Sequence, residues 1–251
     1  MQKLTQNRVA GSRLTLPTVV AYAIAVWLMS GQIIPAVPFT ASSLVQQGAW
    51  PQFACFLVST FLMVELNNGN ALIRIYSRTM SCAFIVLTCT ATFLFDSLTG
   101  AVICLSIIAF YVLLFHCYQD KLSMGWTFYA FLCLGLASTV FIHILYYVPV
   151  FWLLMLLRLT SLSWRTFAAS LLGLMAPYWL LLPAAIYQHQ LHLATNHFAE
   201  LIEFQPLCDY SQLTVNQLLT FLFVIALAVT GIIHYWRNSW GDRIRIRQLY
   251  G

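Results

Sequence analysis

Between Met124 and Leu157 the chain runs for 34 residues without one Asp, Glu, Lys or Arg. A helix of about 20 apolar residues spans the hydrocarbon core of a bilayer, and roughly 17 is the lower limit. The run is therefore long for one untilted span and tight for two. It is also not isolated. Of the whole chain 61% is hydrophobic and 8% charged, with a mean hydropathy of +0.81, whereas soluble domains carry about 45–50% apolar and about 25% charged residues. A surface of that composition does not stay in water, which excludes a soluble enzyme, a secreted scaffold and a disordered chain. The apolar runs are long and continuous, not short and alternating as in a membrane β-barrel. The expected fold is an all-α, polytopic membrane helix bundle.

Apolar runs of spanning length lie near Leu14–Ala36, Trp50–Leu66, Met80–Phe95, Thr99–Cys117, Met124–Val140, Phe141–Leu157, Trp164–Tyr187 and Leu213–Trp236. Met80–Phe95 is short, and its ends must lean on the interface. The basic residues decide how Met124–Leu157 is divided. Lys and Arg collect in cytoplasmic loops, while Asp and Glu weigh little. With eight spans, Lys3, Arg8 and Arg13 share one side with Arg74, Arg78, Lys121, Arg158 and Arg165. Arg237, Arg243, Arg245 and Arg247 join them, which accounts for all twelve basic residues. Treating Met124–Leu157 as one span would send the last six to the opposite face. The reading is eight transmembrane helices with both termini cytoplasmic, forming a single integral membrane domain over residues 1–251, with an outward loop at 188–212.

The net charge of +5 is then an orientation signal whose partner is the lipid bilayer, in particular its anionic inner leaflet, and no nucleic acid is expected. The run Asp242–Gln248 alternates Arg with Ile and suits a juxtamembrane anchor. The first span has a basic start and small residues at Ala36 and Ala41, as a signal peptide would. It is long for a signal, so an uncleaved span is expected. Six of the seven cysteines fall within spans, where Cys packs as a small apolar residue. Only Cys208 lies in an outward loop, and neither a CxxC pair nor a zinc spacing occurs.

Two segments could carry chemistry. The outward loop His189–Tyr210 holds His189, His192, His197, Glu200, Glu203 and Asp209. If Leu191–Phe204 is helical, His197, Glu200 and Glu203 follow at one-turn intervals, and imidazole with carboxylate could hold a zinc-type cation. The simpler reading is an interfacial amphipathic helix, with Leu191, Leu193, Phe198, Leu201, Ile202 and Phe204 on the membrane and His and Glu in water. That reading is preferred, so no metal and no cofactor are expected. The inward turn Glu65–Arg78 places Glu65 at a span end, followed by Asn67, Asn68 and Asn70 around Gly69. Asn side chains satisfy free backbone groups where a helix ends. The functional alternative is an anion or head-group site, with Arg74 and Arg78 binding the charge. A third, aromatic group (Tyr146, Tyr147 and Pro149 with Pro177, Tyr178 and Trp179) could line a lipid or polyprenyl groove, or serve for packing and interfacial anchoring.

What is missing narrows the function. Coupled transporters carry ionisable residues near the midplane, whereas Glu65, Asp96, His116, His143 and His234 all sit near span ends. The first outward loop, Val37–Ala49, has no acidic residue for a lipid-linked glycosyl transfer, and no outward arginine is there to hold an anionic carrier. No serine-hydrolase, Walker or HExxH motif appears.

In the Asn-rich turn, Leu171–Pro183, the opening Gln6–Pro17 and the closing Asp242–Gly251, the chain resembles an uncharacterised family of polytopic inner-membrane proteins of Bacteroidota. The likeness covers most of the chain as hydrophobic pattern with a few short motifs. It implies a Gram-negative inner (cytoplasmic) membrane near envelope or surface-glycan machinery, and members that continue past the terminal run with further spans. It transfers no catalytic residue. The function expected is a non-enzymatic scaffold or accessory component of an envelope complex, with other envelope membrane proteins as partners. The alternatives are an enzyme or flippase for lipid-linked glycans or lipid head groups, and a small-solute transporter.

Overall fold

The computed structural model describes residues 15–33, 49–70, 79–91, 98–187, 191–202 and 215–238. Among them every regular element is helical: α1 (Thr15–Ile33), α2 (Ala49–Asn70), α3 (Thr79–Thr90), α4 (Leu98–His116), α5 (Met124–Val140), a 3₁₀ segment (Ile142–Tyr147), α6 (Val148–Leu157), α7 (Trp164–Tyr187), α8 (Leu191–Ala199) and α9 (Val215–Asn238). Helices are what such a sequence must form, since hydrocarbon offers no partner for a free backbone N–H or C=O. Among the described residues three stretches, Leu98–His116, Trp164–Pro183 and Gln217–His234, are long and apolar enough to cross a membrane. Pro17–Val26, Met80–Thr90, Met124–Val140 and Ile142–Leu157 are shorter apolar helices.

The chain divides into two compact units. One lies within Met1–Leu105 and Leu219–Phe221, the other within Ser106–Leu218 and Leu222–Gly251. In the first, Phe56 of α2, Ile85 and Cys89 of α3 and Ala101 form a buried cluster, against which Val19, Ala23 and Val26 of α1 and Cys55 pack. The Ser81 hydroxyl donates to the Thr60 carbonyl at 3.2 Å and ties α3 to α2. Two expectations shift here. The α3 helix stops at Thr90, with Ala91 outside it and 92–97 beyond the described residues. The α2 helix continues through Asn70, so Asn67, Asn68 and Gly69 are helical and not part of a turn.

In the second unit the charge-free run folds back on itself. Phe141, extended at φ −143° and ψ 99°, ends α5. The run then passes through six 3₁₀ residues into the ten-residue α6. Phe141–Leu157 is thus not one α-helix. Pro149 has no N–H to continue an α ladder, but it is tolerated in a first helical turn. The bond before it is of 3₁₀ type, Val148 N–H to the Leu145 carbonyl. The reversal is set at the other end of the run. Gln119 N–H donates to the Leu159 carbonyl at 2.8 Å, and the Ser163 hydroxyl donates to the Lys121 carbonyl at 3.0 Å. The loop before α5 and the loop after α6 therefore meet. The two limbs match in length, about 25 Å for α5 and about 27 Å for the 3₁₀ segment plus α6, from their rise per residue.

The paired loops are locally built. Asp120 Oδ1 accepts Leu122 N–H at 2.8 Å, as an Asx turn does. Ser163 caps α7: its hydroxyl accepts Thr166 N–H at 3.3 Å, and Thr166 Oγ1 accepts Ser163 N–H at 2.7 Å. This is a capping box with Thr in the acidic residue's place. Gln119 and Thr160 take left-handed backbone, φ 59° and 48°, which strains a β-branched residue most.

Aromatic and small residues close the unit. The Phe110 ring of α4 lies 5.5 Å from Phe131 of α5 and 4.4 Å from Phe151 of α6. The Trp152 indole N–H donates to Ser170 Oγ at 3.0 Å and joins α6 to α7. The tightest joint is α5 against α7. A Cβ added to Gly173 would stand 2.5 Å from the Phe128 carbonyl oxygen, and one added to Gly135 would stand 2.9 Å from that of Leu174 and 3.2 Å from that of Gly173. Only glycine admits backbones this close, as at the small-residue crossings of membrane helices. Pro177 removes the N–H that would have bonded the Gly173 carbonyl, and that freed oxygen is one that Gly135 faces.

Candidate functional site

The polar groups that converge in the second unit lie where α5 ends. The last carbonyls of a helix have no partner within it. That of Ala137 accepts Phe141 N–H at 2.9 Å. The carbonyl of Ser138 is bonded by Nε2 of His197, 3.0 Å away on α8. A carbonyl can only accept, so Nε2 carries a proton and donates it. An imidazole N–H here also suits the negative end of the α5 dipole.

The Ser138 side chain makes the second joint. Its hydroxyl donates to the Gly135 carbonyl at 2.7 Å. The Tyr178 hydroxyl of α7, 2.8 Å away, then donates to Ser138 Oγ. The Tyr178 ring centroid lies 6.4 Å from that of His197 and 5.2 Å from that of Phe198, so α8 rests on α7 through its rings. Tyr146 O–H donates to the Leu201 carbonyl and fastens the turn after α8 to the 3₁₀ segment. Beside it, His143 lies 5.0 Å from the Phe141 ring and 5.8 Å from that of Tyr146. Its Nδ1 is buried without a hydrogen-bond partner.

Proton by proton, this arrangement ends in backbone carbonyls. A serine nucleophile needs a neighbouring base to take its proton, whereas the Ser138 proton is directed to Gly135. What the geometry does is hold α5, α7, α8 and the 3₁₀ segment together at one end of the unit.

Of the residues of 189–210 named from sequence, His197 turns onto the bundle and Glu200 is exposed in the turn after α8. The helix ends at Ala199 and not at Phe204. His192 is on α8 with its side chain outside the described residues, as are His189, Glu203 and Asp209 altogether. Among the described residues no three His, Cys, Asp or Glu side chains are grouped to hold a metal ion. In the Asn-rich segment Glu65 is exposed, Asn68 is half-buried, and Asn67 and Asn70 are buried. Asn70 Nδ2 donates to the Leu66 carbonyl at 3.1 Å, and Asn67 Nδ2 to Asn68 Oδ1 at 3.4 Å. Arg74 and Arg78 lie outside the described residues. Of the aromatic group, Tyr178 enters the joint while Tyr147 and Trp179 stay exposed.

Sequence reasoning missed Ser138, and it placed His143 near a span end without a role. A usable signal was there for Ser138: with Gly135 one turn before it, the helix presents two small residues on one face, the pattern of a close crossing. No family model, curated protein or solved structure matches the chain.

Proposed function

We propose that this chain is a multi-pass protein of a Gram-negative inner membrane, with eight spans and both termini cytoplasmic, that acts as a non-enzymatic scaffold or accessory component of an envelope complex. The observation that carries the functional part is the Ser138–Tyr178–His197 joint. Its hydroxyl and imidazole protons are committed to carbonyls and to one another, so these groups fix helices instead of facing a reactant. The topology part draws support from the α5–α6 reversal, which lets Lys121, Arg158 and Arg165 share a side. An exposed apolar helix adds to it. The 18 residues Gln217–His234 of α9 have none of their number buried, and in a bilayer such a helix faces lipid or the helices of a partner.

The test replaces Arg74 and Arg78 together by Ala in cells that make the protein, with envelope lipids and glycans read by mass spectrometry. The expected result is an unchanged lipid and glycan profile at an unchanged protein level. In mild detergent, the unsubstituted chain is expected to run in an assembly larger than one 28.5 kDa chain in its micelle. A changed lipid or glycan profile with protein level held would replace the scaffold reading by the head-group enzyme.

A further inference from the structure

Within the first unit α1, α2 and α3 leave a cavity of about 140 Å³ open on one side. Phe53, Phe56 and Ile85 are among its walls, with Val20, Ile24 and Leu57 at its exposed rim. The protons of its two hydroxyls are committed within their own helices. Thr60 Oγ1 donates to the Phe56 carbonyl at 2.8 Å, and Thr88 Oγ1 to the Ile85 carbonyl at 2.9 Å. Water enters a cavity only where two or more polar groups receive it, and an apolar cavity of about 150 Å³ stays dry yet takes up benzene. The space is therefore of a size for about six carbons, and its walls are overwhelmingly apolar with no hydroxyl proton left to offer water.

We infer that this cavity is a binding site for a segment of one phospholipid acyl chain, which enters between Val20, Ile24 and Leu57 and packs against Phe56 and Ile85. The inference rests on the proposed placing of α1, α2 and α3 across the bilayer, where hydrocarbon is what the open side meets. A chain segment in the cavity restores the dispersion contacts that an empty wall forfeits. It also adds a lipid to the cluster joining the three helices.

The experiment uses the full chain in nanodiscs of phosphatidylcholine carrying a photoactivatable diazirine on the acyl chain, with crosslinks mapped by mass spectrometry. The expected map shows a several-fold excess on Val20, Ile24, Phe53 and Leu57 over Leu180 and Leu181, which are exposed on α7. In Ala23→Phe, which fills the space from α1, the excess falls to the level of α7. Leu172→Ala, exposed on α7 and not among the cavity walls, keeps it. Even labelling of the cavity wall and α7 in the unsubstituted chain overturns the site. Absence of label from α1, α2 and α3 while α7 is labelled overturns the membrane placement instead.

Discussion

Replacing Gly173 by Ala adds one methyl group where α7 meets α5, and the structure sets the size of the effect. The new Cβ would lie 2.5 Å from the Phe128 carbonyl oxygen, against the 3.4 Å at which ordinary contact begins, and 3.1 Å from the Leu132 nitrogen. Both neighbours are backbone, so relief means moving α5 and α7 apart by close to an ångström. A gap of that size forfeits a quarter to a half of each contact's attraction, and overpacking of this kind costs about 1–3 kcal/mol. Gly231 is the control, because a Cβ there meets nothing within 4 Å. Alanine at that position gains up to about 1 kcal/mol of helix propensity. The purified chain is unfolded in mixed micelles by increasing SDS and followed by circular dichroism. Gly173→Ala is expected to fall below Gly231→Ala by about 2 kcal/mol, roughly 30-fold in the folded-to-unfolded ratio. Equal stabilities for the two variants would refute the close crossing.

The joint at the end of α5 gives two more expectations. Tyr178→Phe removes one interhelical hydrogen bond and should cost about 0.6 kcal/mol, the average for such bonds in membrane helices. In a double-mutant cycle it should be non-additive with Gly173→Ala, since the same two helices carry both contacts; strict additivity would separate them. His197→Ala leaves the Ser138 carbonyl unpaired and should cost about 1–3 kcal/mol. Hydrogen exchange should rise in α8, and His197→Gln, which keeps a donor, should recover part of the loss. Exchange in α8 unchanged by His197→Ala would show that the imidazole does not hold it.

The sequence made some of this architecture legible for definite reasons. Met124–Val140 and Trp164–Tyr187 emerge as helices with the expected bounds, because an apolar run between polar loops leaves the backbone one way to satisfy itself. Charge sorting divided the run after Val140, where Phe141 turns extended. The 3₁₀ segment was not legible, since apolar content alone does not separate 3₁₀ from α. The Asn-rich segment was read as a turn from local propensity. In the structure Asn67 and Asn70 are buried in α2, where packing outweighs the preference of Asn for turns. His197 was placed in water by the amphipathic pattern of its own helix. What turns it inward is a carbonyl 59 residues away in the chain, and no local pattern carries that information.

The most direct measurement asks on which side of the membrane the two ends of the charge-free run lie. Asp120 and Thr160, both exposed, are replaced one at a time by Cys, and exposed Tyr147 likewise, in a background carrying Cys208→Ser. Intact cells with permeabilised outer membranes are then treated with a membrane-impermeant maleimide. Tyr147→Cys is expected to label, while Asp120→Cys and Thr160→Cys label only after the inner membrane is opened. Labelling of Asp120→Cys and Thr160→Cys from opposite sides would contradict the reversal, and with it the eight-span topology.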